Sequence, residues 1–304
     1  QPFSLHETDL FLKSRKVQLS YYQTMQLYMA FGGIPMYLEQ VEPGRSTAQI
    51  IDAACFSKNG FLYNEFSDLY QALFYESDRH IKIIRALAAK PMGLTRNALI
   101  KTAKLQSGGT MSALLEELSA GGFISQYIPF GKKTKDAIYK LTDEFSLFYI
   151  KFMEPNRSGG RGTWLRLSDT PAYKSWSGFA FETLCIKHIE AIKKALGIHG
   201  IYTETSAWKS THASGGAQID LVIDRRDQCI SLCEMKFYGD TFSIDKKYAA
   251  ALRHKASLFK QHTKTRKQIF WVIAAPFGLH KNEHSIGLAD AAIDAEDLFV
   301  KLEL

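Results

Sequence analysis

Cysteine is scarce in this 304-residue sequence, which contains only four. No two of them form a Cys-x-x-Cys pair, and no set of cysteines and histidines has the spacing of a zinc site. This pattern predicts buried free thiols in a reducing, cytoplasmic setting rather than a disulfide framework. The four residues are Cys55, Cys185, Cys229 and Cys233.

Long apolar segments are also missing, since no run approaches the roughly 18 residues that cross a bilayer. No signal peptide opens the chain, so we expect no membrane partner. A composition of 46% hydrophobic and 23% charged residues is typical of a globular protein, and the length predicts two or three domains. Because the first residue is Gln1 rather than Met, we expect a fragment or a processed chain.

The formal net charge of +7 is unevenly distributed. Residues 1–75 are net acidic, whereas 76–155 and 156–304 are both net basic. A basic surface attracts polyanions, so the last two segments are compatible with nucleic-acid binding and the first is not.

Residues 1–75 have the pattern of short helices. Ser4 followed by Glu7 is a capping-box signature before an apolar run. A later helix is expected to end at Gly32-Gly33, with Pro35 just beyond. We find no catalytic constellation in this segment.

Residues 76–155 predict three helices followed by two strands, the order of a winged helix-turn-helix domain. Its third helix, residues 109–120, carries Glu116 and Glu117 but no Lys or Arg. Two interpretations stay open for this helix: direct reading of DNA, or packing and partner docking. The turn between the strands supplies lysines suited to phosphate contacts, namely Lys132, Lys133 and Lys135.

A Gly-, Ser- and Arg-rich linker, residues 156–175, precedes a segment with the predicted order αβββαβ. Its second and third strands flank the turn-like triplet Arg226-Asp227-Gln228. If that triplet is the loop, Asp220 lies opposite Glu234. Lys236 then shares their face, because side chains alternate along a strand.

Two carboxylates that face each other across a sheet repel unless a cation or a proton intervenes. Mg²⁺ prefers oxygen ligands and keeps water molecules for chemistry. Lys236 could then activate a water molecule or stabilise charge on a phosphate. The alternative is a solvated hairpin with incidental charges.

This pattern, Asp220 followed by Glu234-Met235-Lys236 within αβββαβ order, resembles the PD-(D/E)XK nuclease fold. The resemblance implies that Asp220 and Glu234 bind Mg²⁺ or Mn²⁺, that Met235 offers its carbonyl, and that Lys236 is catalytic. It also implies an acidic residue on the first helix, where Glu182 stands; the alternative is an ordinary helix carboxylate. Ile219 replaces the proline that gives the superfamily its name.

Further residues are expected to line this site. Gln218 lies two positions before Asp220 and is predicted to share its face. The helix after the third strand is strongly basic and begins with Lys246 and Lys247. Its lysines either face nucleic acid or are simply solvated, and Tyr248 either stacks on a base or packs.

A second resemblance covers nearly the whole chain. The segments LYMAFGGIPMYLEQV (27–41), SGG (107–109), YKLTDEFSLFYIKFM (139–153) and GAQIDLVIDR (216–225) together resemble a prokaryotic AAA+ ATPase family. That family implies a P-loop core, a helical lid, a winged helix and a nuclease-like domain. No G-x-x-x-x-G-K-[ST] is present, so ATP binding and self-association through an ATPase core are expected only of a longer parent protein.

The predicted fold class is therefore multi-domain α+β. It comprises an AAA+ lid-like segment (1–75), a winged helix domain (76–155) and a PD-(D/E)XK-like domain (156–304). The leading functional hypothesis is a Mg²⁺-dependent DNA phosphodiesterase without ATPase activity of its own. The alternatives are a non-catalytic DNA- or protein-binding module of an AAA+ ATPase, and a regulator that binds protein only.

Overall fold

The computed structural model describes residues 2–210 and 216–302. Within these ranges the protein is mixed α+β, with fourteen α-helices and two β-sheets. The chain forms two compact units. The first runs to Tyr127 and resumes over Asp136–Ala180, and the second comprises Ile128–Lys135 and the chain from Phe181 onward.

Short capped helices open the first unit, as the sequence predicts. The Ser4 side chain accepts a hydrogen bond from the Glu7 amide while the Glu7 carboxylate accepts one from the Ser4 amide, which confirms the predicted capping box. Gly32, with φ +68°, ends the second helix in a conformation that favours glycine. The helices are α1 (Leu5–Ser14), α2 (Tyr21–Phe31), α3 (Pro35–Leu38), α4 (Thr47–Phe56) and α5 (Glu65–Leu73).

The predicted succession of three helices and a hairpin is confirmed, with one additional strand. The elements are α6 (Ser77–Ala88), β1 (Leu94–Thr95), α7 (Arg96–Ala103), α8 (Gly109–Ala120), β2 (Ile124–Tyr127) and β3 (Ile138–Leu141). The sheet is antiparallel in the order β1-β3-β2. On α8 the carboxylate of Glu117 lies 2.7 Å from Nε2 of the buried His80. Glu117, one of the two glutamates on this helix, therefore already has a partner within the first unit.

Aromatic packing fills the remainder of the first unit. Phe148 and Trp164 pack edge to face with ring centroids 4.8 Å apart, and Phe152 lies 5.2 Å from the same indole. The elements here are α9 (Glu144–Phe148), a π-helical turn (Tyr149–Met153), a 3₁₀ turn (Glu154–Asn156), α10 (Thr163–Leu167) and the part of α11 (Pro171–Lys187) that precedes Phe181.

The second unit is built on a five-stranded sheet in the order β4-β5-β6-β7-β8. Its first three strands are antiparallel neighbours, whereas β6, β7 and β8 run parallel. The strands are β4 (Thr203–Ser210), β5 (Ala217–Arg225), β6 (Cys229–Met235), β7 (Gln268–Ala274) and β8 (Ala291–Ile293). The helices are α12 (Ile189–Ala195), α13 (Lys246–Thr263) and α14 (Ala295–Leu298). The predicted αβββαβ order is confirmed, and α12, β8 and α14 extend it.

The central strands are buried on both faces, which explains their nearly continuous apolar sequences. Leu252 and Phe259 of α13 belong to one hydrophobic cluster with Leu232 of β6 and Ile273 of β7. Through this packing α13 covers one face of the sheet and presents its inner side chains to β6.

The β5–β6 hairpin has the register predicted from its loop. Leu221 pairs with Cys233, and Asp224 pairs with Ile230. Gln228 adopts φ +63°, as expected near the end of a three-residue hairpin loop.

The cysteines are free thiols, as predicted, but they are not all buried. Cys55, Cys185 and Cys233 are buried, whereas Cys229 at the start of β6 is partly exposed. The expectation of four buried thiols is therefore wrong for Cys229, which follows the hairpin loop. Throughout residues 2–210 and 216–302, no helix is both long enough and apolar enough to cross a membrane.

Candidate active site

The candidate site lies where β5 and β6 part. Their ladder runs from the pair Asp224–Ile230 to the pair Leu221–Cys233 and includes no pair beyond it. Both strands nevertheless continue, β5 along β4 and β6 along β7. The next residues on the two strands are Asp220 and Glu234, so the acidic pair sits at the opening between them. There the Met235 amide donates to Oδ2 of Asp220 at 3.0 Å.

A β-bulge at Asp220 accompanies this divergence. On the other edge of β5, Ser206 pairs with Val222 and Trp208 pairs with Ile219. Ala207 therefore faces two residues, Asp220 and Leu221. Ile219 and Val222 both join the same hydrophobic cluster although they are three positions apart, as an extra residue in the strand requires. Bulges re-aim side chains and interrupt ladders, often beside functional sites.

Glu234 is the most deeply buried charge of the site, with 1% of its surface exposed. Lys255 donates to Oε1 from 2.6 Å. The Tyr248 hydroxyl donates to Oε2 from 3.0 Å, and Lys236 Nζ lies 3.4 Å from the same oxygen. Three donors therefore hold this carboxylate, as a buried charge requires.

Lys236 stands between the two acids. Its amide donates to the Ala274 carbonyl at 2.8 Å, which fixes the end of β6 against β7. Its Nζ lies 4.0 Å from Oδ2 of Asp220, and the side chain is 33% exposed. The structure thus brings together the three groups that the hairpin register predicted; their chemical roles stay predictions.

Burial and the neighbouring Glu234 carboxylate raise the pKa of Asp220. The ammonium groups of Lys236 and Lys255 and the Met235 amide act in the opposite direction. Two carboxylates therefore share two lysines. Oδ1 of Asp220 accepts no hydrogen bond from the residues that the structure describes, which leaves one oxygen available to a ligand.

The donor chemistry of this pair suits a hard cation, because Asp220 offers an available carboxylate oxygen beside a second carboxylate. No group of three or more His, Cys, Asp or Glu side chains with a metal-binding arrangement occurs in the described part of the chain. A cation here would therefore depend on the two acids, the Met235 carbonyl and water. It would also compete with Lys255 and Lys236 for Glu234.

Two other predicted residues lie on neighbouring elements. Glu182 is half-buried on α11. Burial raises the pKa of the Cys185 thiol, and the charges of Cys233, Glu182 and Asp220 add to that effect. Glu182 and Asp220 therefore both lie near enough to Cys185 for their charges to affect its pKa. Gln218 is half-buried and pairs with Lys209 of β4; among the described residues no hydrogen bond joins it to the acidic pair.

The predicted phosphate-binding lysines are exposed. Lys246 and Lys247 begin α13, and Lys132 and Lys133 lie in the segment Ile128–Lys135 of the second unit. That segment is held by a hydrogen bond of 2.9 Å from the Phe130 amide to the Ala207 carbonyl. The Phe130 ring also lies 5.0 Å from that of Phe259 on α13.

Tyr248 and Lys255 complete the site from α13. Tyr248 packs against the hydrophobic cluster of the sheet, which confirms the packing alternative, and its hydroxyl also donates to Glu234. The sequence pattern predicts neither this hydrogen bond nor a specific role for Lys255. One signal was present: the two residues are seven positions apart, so they lie on the same helix face two turns apart. Only the packing of α13 onto β6 shows that this face meets the acids.

No family model, curated protein or solved structure matches this chain. Its function must therefore be inferred from the site residues themselves.

Proposed function

We propose that the second unit is a metal-dependent phosphodiesterase that acts on DNA. The observation that carries this proposal is the convergence of Asp220, Glu234 and Lys236 at the opening between β5 and β6. The acids are buried while the amine is one-third exposed. A reacting group that approaches from solvent therefore meets the lysine beside the carboxylates.

Asp220, Glu234 and the Met235 carbonyl would hold Mg²⁺ or Mn²⁺. When bound, such an ion polarises phosphoryl oxygens and lowers the pKa of a coordinated water. Lys236 orients the attacking water and stabilises negative charge that develops on the phosphate. Tyr248 and Lys255 fix the Glu234 carboxylate, and Glu182 adds acidic charge from α11.

Cationic side chains support a polyanionic substrate, because carboxylates alone would repel phosphates. Lys246 and Lys247 on α13, with Lys132 and Lys133, are the candidates for backbone contacts. In the wider setting we propose that this unit belongs to the C-terminal region of a cytoplasmic AAA+ ATPase. Its nucleotide site, and self-association through it, would lie in the P-loop core of the parent protein.

A second candidate is a non-catalytic module that binds DNA or protein. One observation favours it: Lys255 and Lys236 already neutralise Glu234, so the fold balances its buried charge without a metal. In this second candidate, the domain with its internal ion pair serves as a platform that binds DNA or protein without catalysing cleavage.

Incubation with plasmid DNA in Mg²⁺ or Mn²⁺ separates these candidates. The proposal predicts nicking or linearisation by the wild type, loss of that activity on addition of EDTA, and none by Asp220→Ala. Salt-sensitive DNA binding without cleavage would select the platform. Equal cleavage by wild type and variant would show that the activity arises elsewhere.

A further inference from the structure

Two exposed aromatic residues lie on the loops that follow β6 and β7. These strands are parallel, and Met235 pairs with Ala274 near their carboxyl ends. The loops therefore leave the sheet at the same edge as Lys236. Tyr238 on the first loop is 55% exposed, and Phe277 on the second is 46% exposed.

Backbone hydrogen bonds tie the two loops together. The Phe242 amide donates to the Gly278 carbonyl at 3.0 Å, and the His280 amide donates to the Phe242 carbonyl at 2.8 Å. Phe277 is the chain neighbour of Gly278, so Tyr238 and Phe277 are carried by one hydrogen-bonded framework. We call Tyr238, Phe242 and Phe277 the aromatic rim.

Two members of the aromatic rim, Tyr238 and Phe242, connect to the acidic site through ring contacts. The rings of Tyr238 and Phe242 meet edge to face with centroids 6.4 Å apart. Phe242 meets Tyr248 in the same way at 5.6 Å, and the Tyr248 hydroxyl reaches Glu234. A chain of ring contacts thus connects an exposed tyrosine with the buried carboxylate.

A contiguous exposed apolar surface that is bordered by polar residues is typical of a binding surface. Flat rings offer faces on which nucleobases stack, and every base has such a face. The nearby exposed amines of Lys246 and Lys247 supply positive charge for the phosphates that accompany the bases.

In a duplex the bases already stack on one another and their faces are covered. Only unpaired bases can be splayed onto protein side chains. Resting on the proposed function, we propose that the aromatic rim stacks unpaired bases, so that this site binds single-stranded nucleic acid more tightly than duplex.

Binding without metal tests this inference separately from hydrolysis. Fluorescence anisotropy in EDTA would compare a labelled oligothymidylate, an oligouridylate and a DNA duplex of equal length. We expect tighter binding of the single strands than of the duplex. The double substitution Tyr238→Ala with Phe277→Ala should weaken single-strand binding about tenfold and leave duplex binding unchanged.

Two further variants make the result specific. Tyr75→Ala removes a fully exposed tyrosine of the first unit and should leave binding unchanged. Tyr238→Phe with Phe277→Tyr keeps both ring faces and should retain wild-type affinity, which distinguishes stacking from a folding defect. Equal affinity for strand and duplex, no binding, or an unchanged alanine variant would overturn the inference. Plasmid cleavage that the rim variants do not change would support the proposed function and contradict the inference about the aromatic rim. Rim-dependent binding without any cleavage would support the inference about the rim and contradict the proposed function.

Discussion

Replacement of Glu234 by alanine is expected to lower the free energy of unfolding by about 3 kcal/mol. Glu234 is the common partner of Lys255, Lys236 and Tyr248. Its removal leaves the Lys255 ammonium without its carboxylate, although this lysine side chain is only 22% exposed. Urea denaturation followed by circular dichroism would report the loss as a lower midpoint at unchanged slope.

The same strand system offers a matched control. Asp224 of β5 accepts a hydrogen bond from Lys267 at 2.5 Å, but both of these side chains are 26% exposed. Asp224→Ala should therefore cost less than about 1 kcal/mol, as ion pairs near water usually do. Addition of Lys255→Met to Glu234→Ala should restore much of the lost stability, because the uncompensated charge is removed. A Glu234→Ala cost no larger than that of Asp224→Ala would contradict this account of the site.

Lys236→Met is expected to lower the rate of DNA cleavage by about a hundredfold or more while the fold is retained. The side chain is one-third exposed, and its backbone remains fixed to Ala274, so little stability depends on the amine. The amine nevertheless lies within 4.0 Å of carboxylate oxygens on both strands. Its removal should therefore affect the chemical step more than folding.

Single-turnover cleavage with saturating enzyme would measure the Lys236→Met effect on that step. Lys301→Met, at another exposed lysine of the second unit, is the control and should cleave at the wild-type rate. Retained cleavage by Lys236→Met with unchanged metal dependence would remove Lys236 from the mechanism. Loss of the circular dichroism signal would instead identify a structural role.

The local pattern of the sequence was sufficient for the hairpin. The triplet Arg226-Asp227-Gln228 fixed the loop, and the loop fixed the pairing of Leu221 with Cys233. The order of helices and strands also followed from periodicity and capping signals such as Ser4 with Glu7. These features depend on residues close together in the chain.

Features set by distant residues were not predictable in this way. The bulge at Asp220 arises where β5 must pair with β4 on one edge and part from β6 on the other. Lys255 enters the site only because α13 packs its apolar face on the sheet. The contact between the rings of Phe130 and Phe259 is also a long-range contact. The sequence around Phe130 predicts only a basic turn.

Isothermal titration of the wild type and Asp220→Ala with Mn²⁺ tests most directly whether the acids at the opening between β5 and β6 form a metal site. We expect one binding event in the wild type, none in Asp220→Ala, and tighter binding in Lys255→Met, because that lysine competes for Glu234. Absence of Mn²⁺ binding in both the wild type and Lys255→Met would contradict this expectation, as would equal binding by wild type and Asp220→Ala.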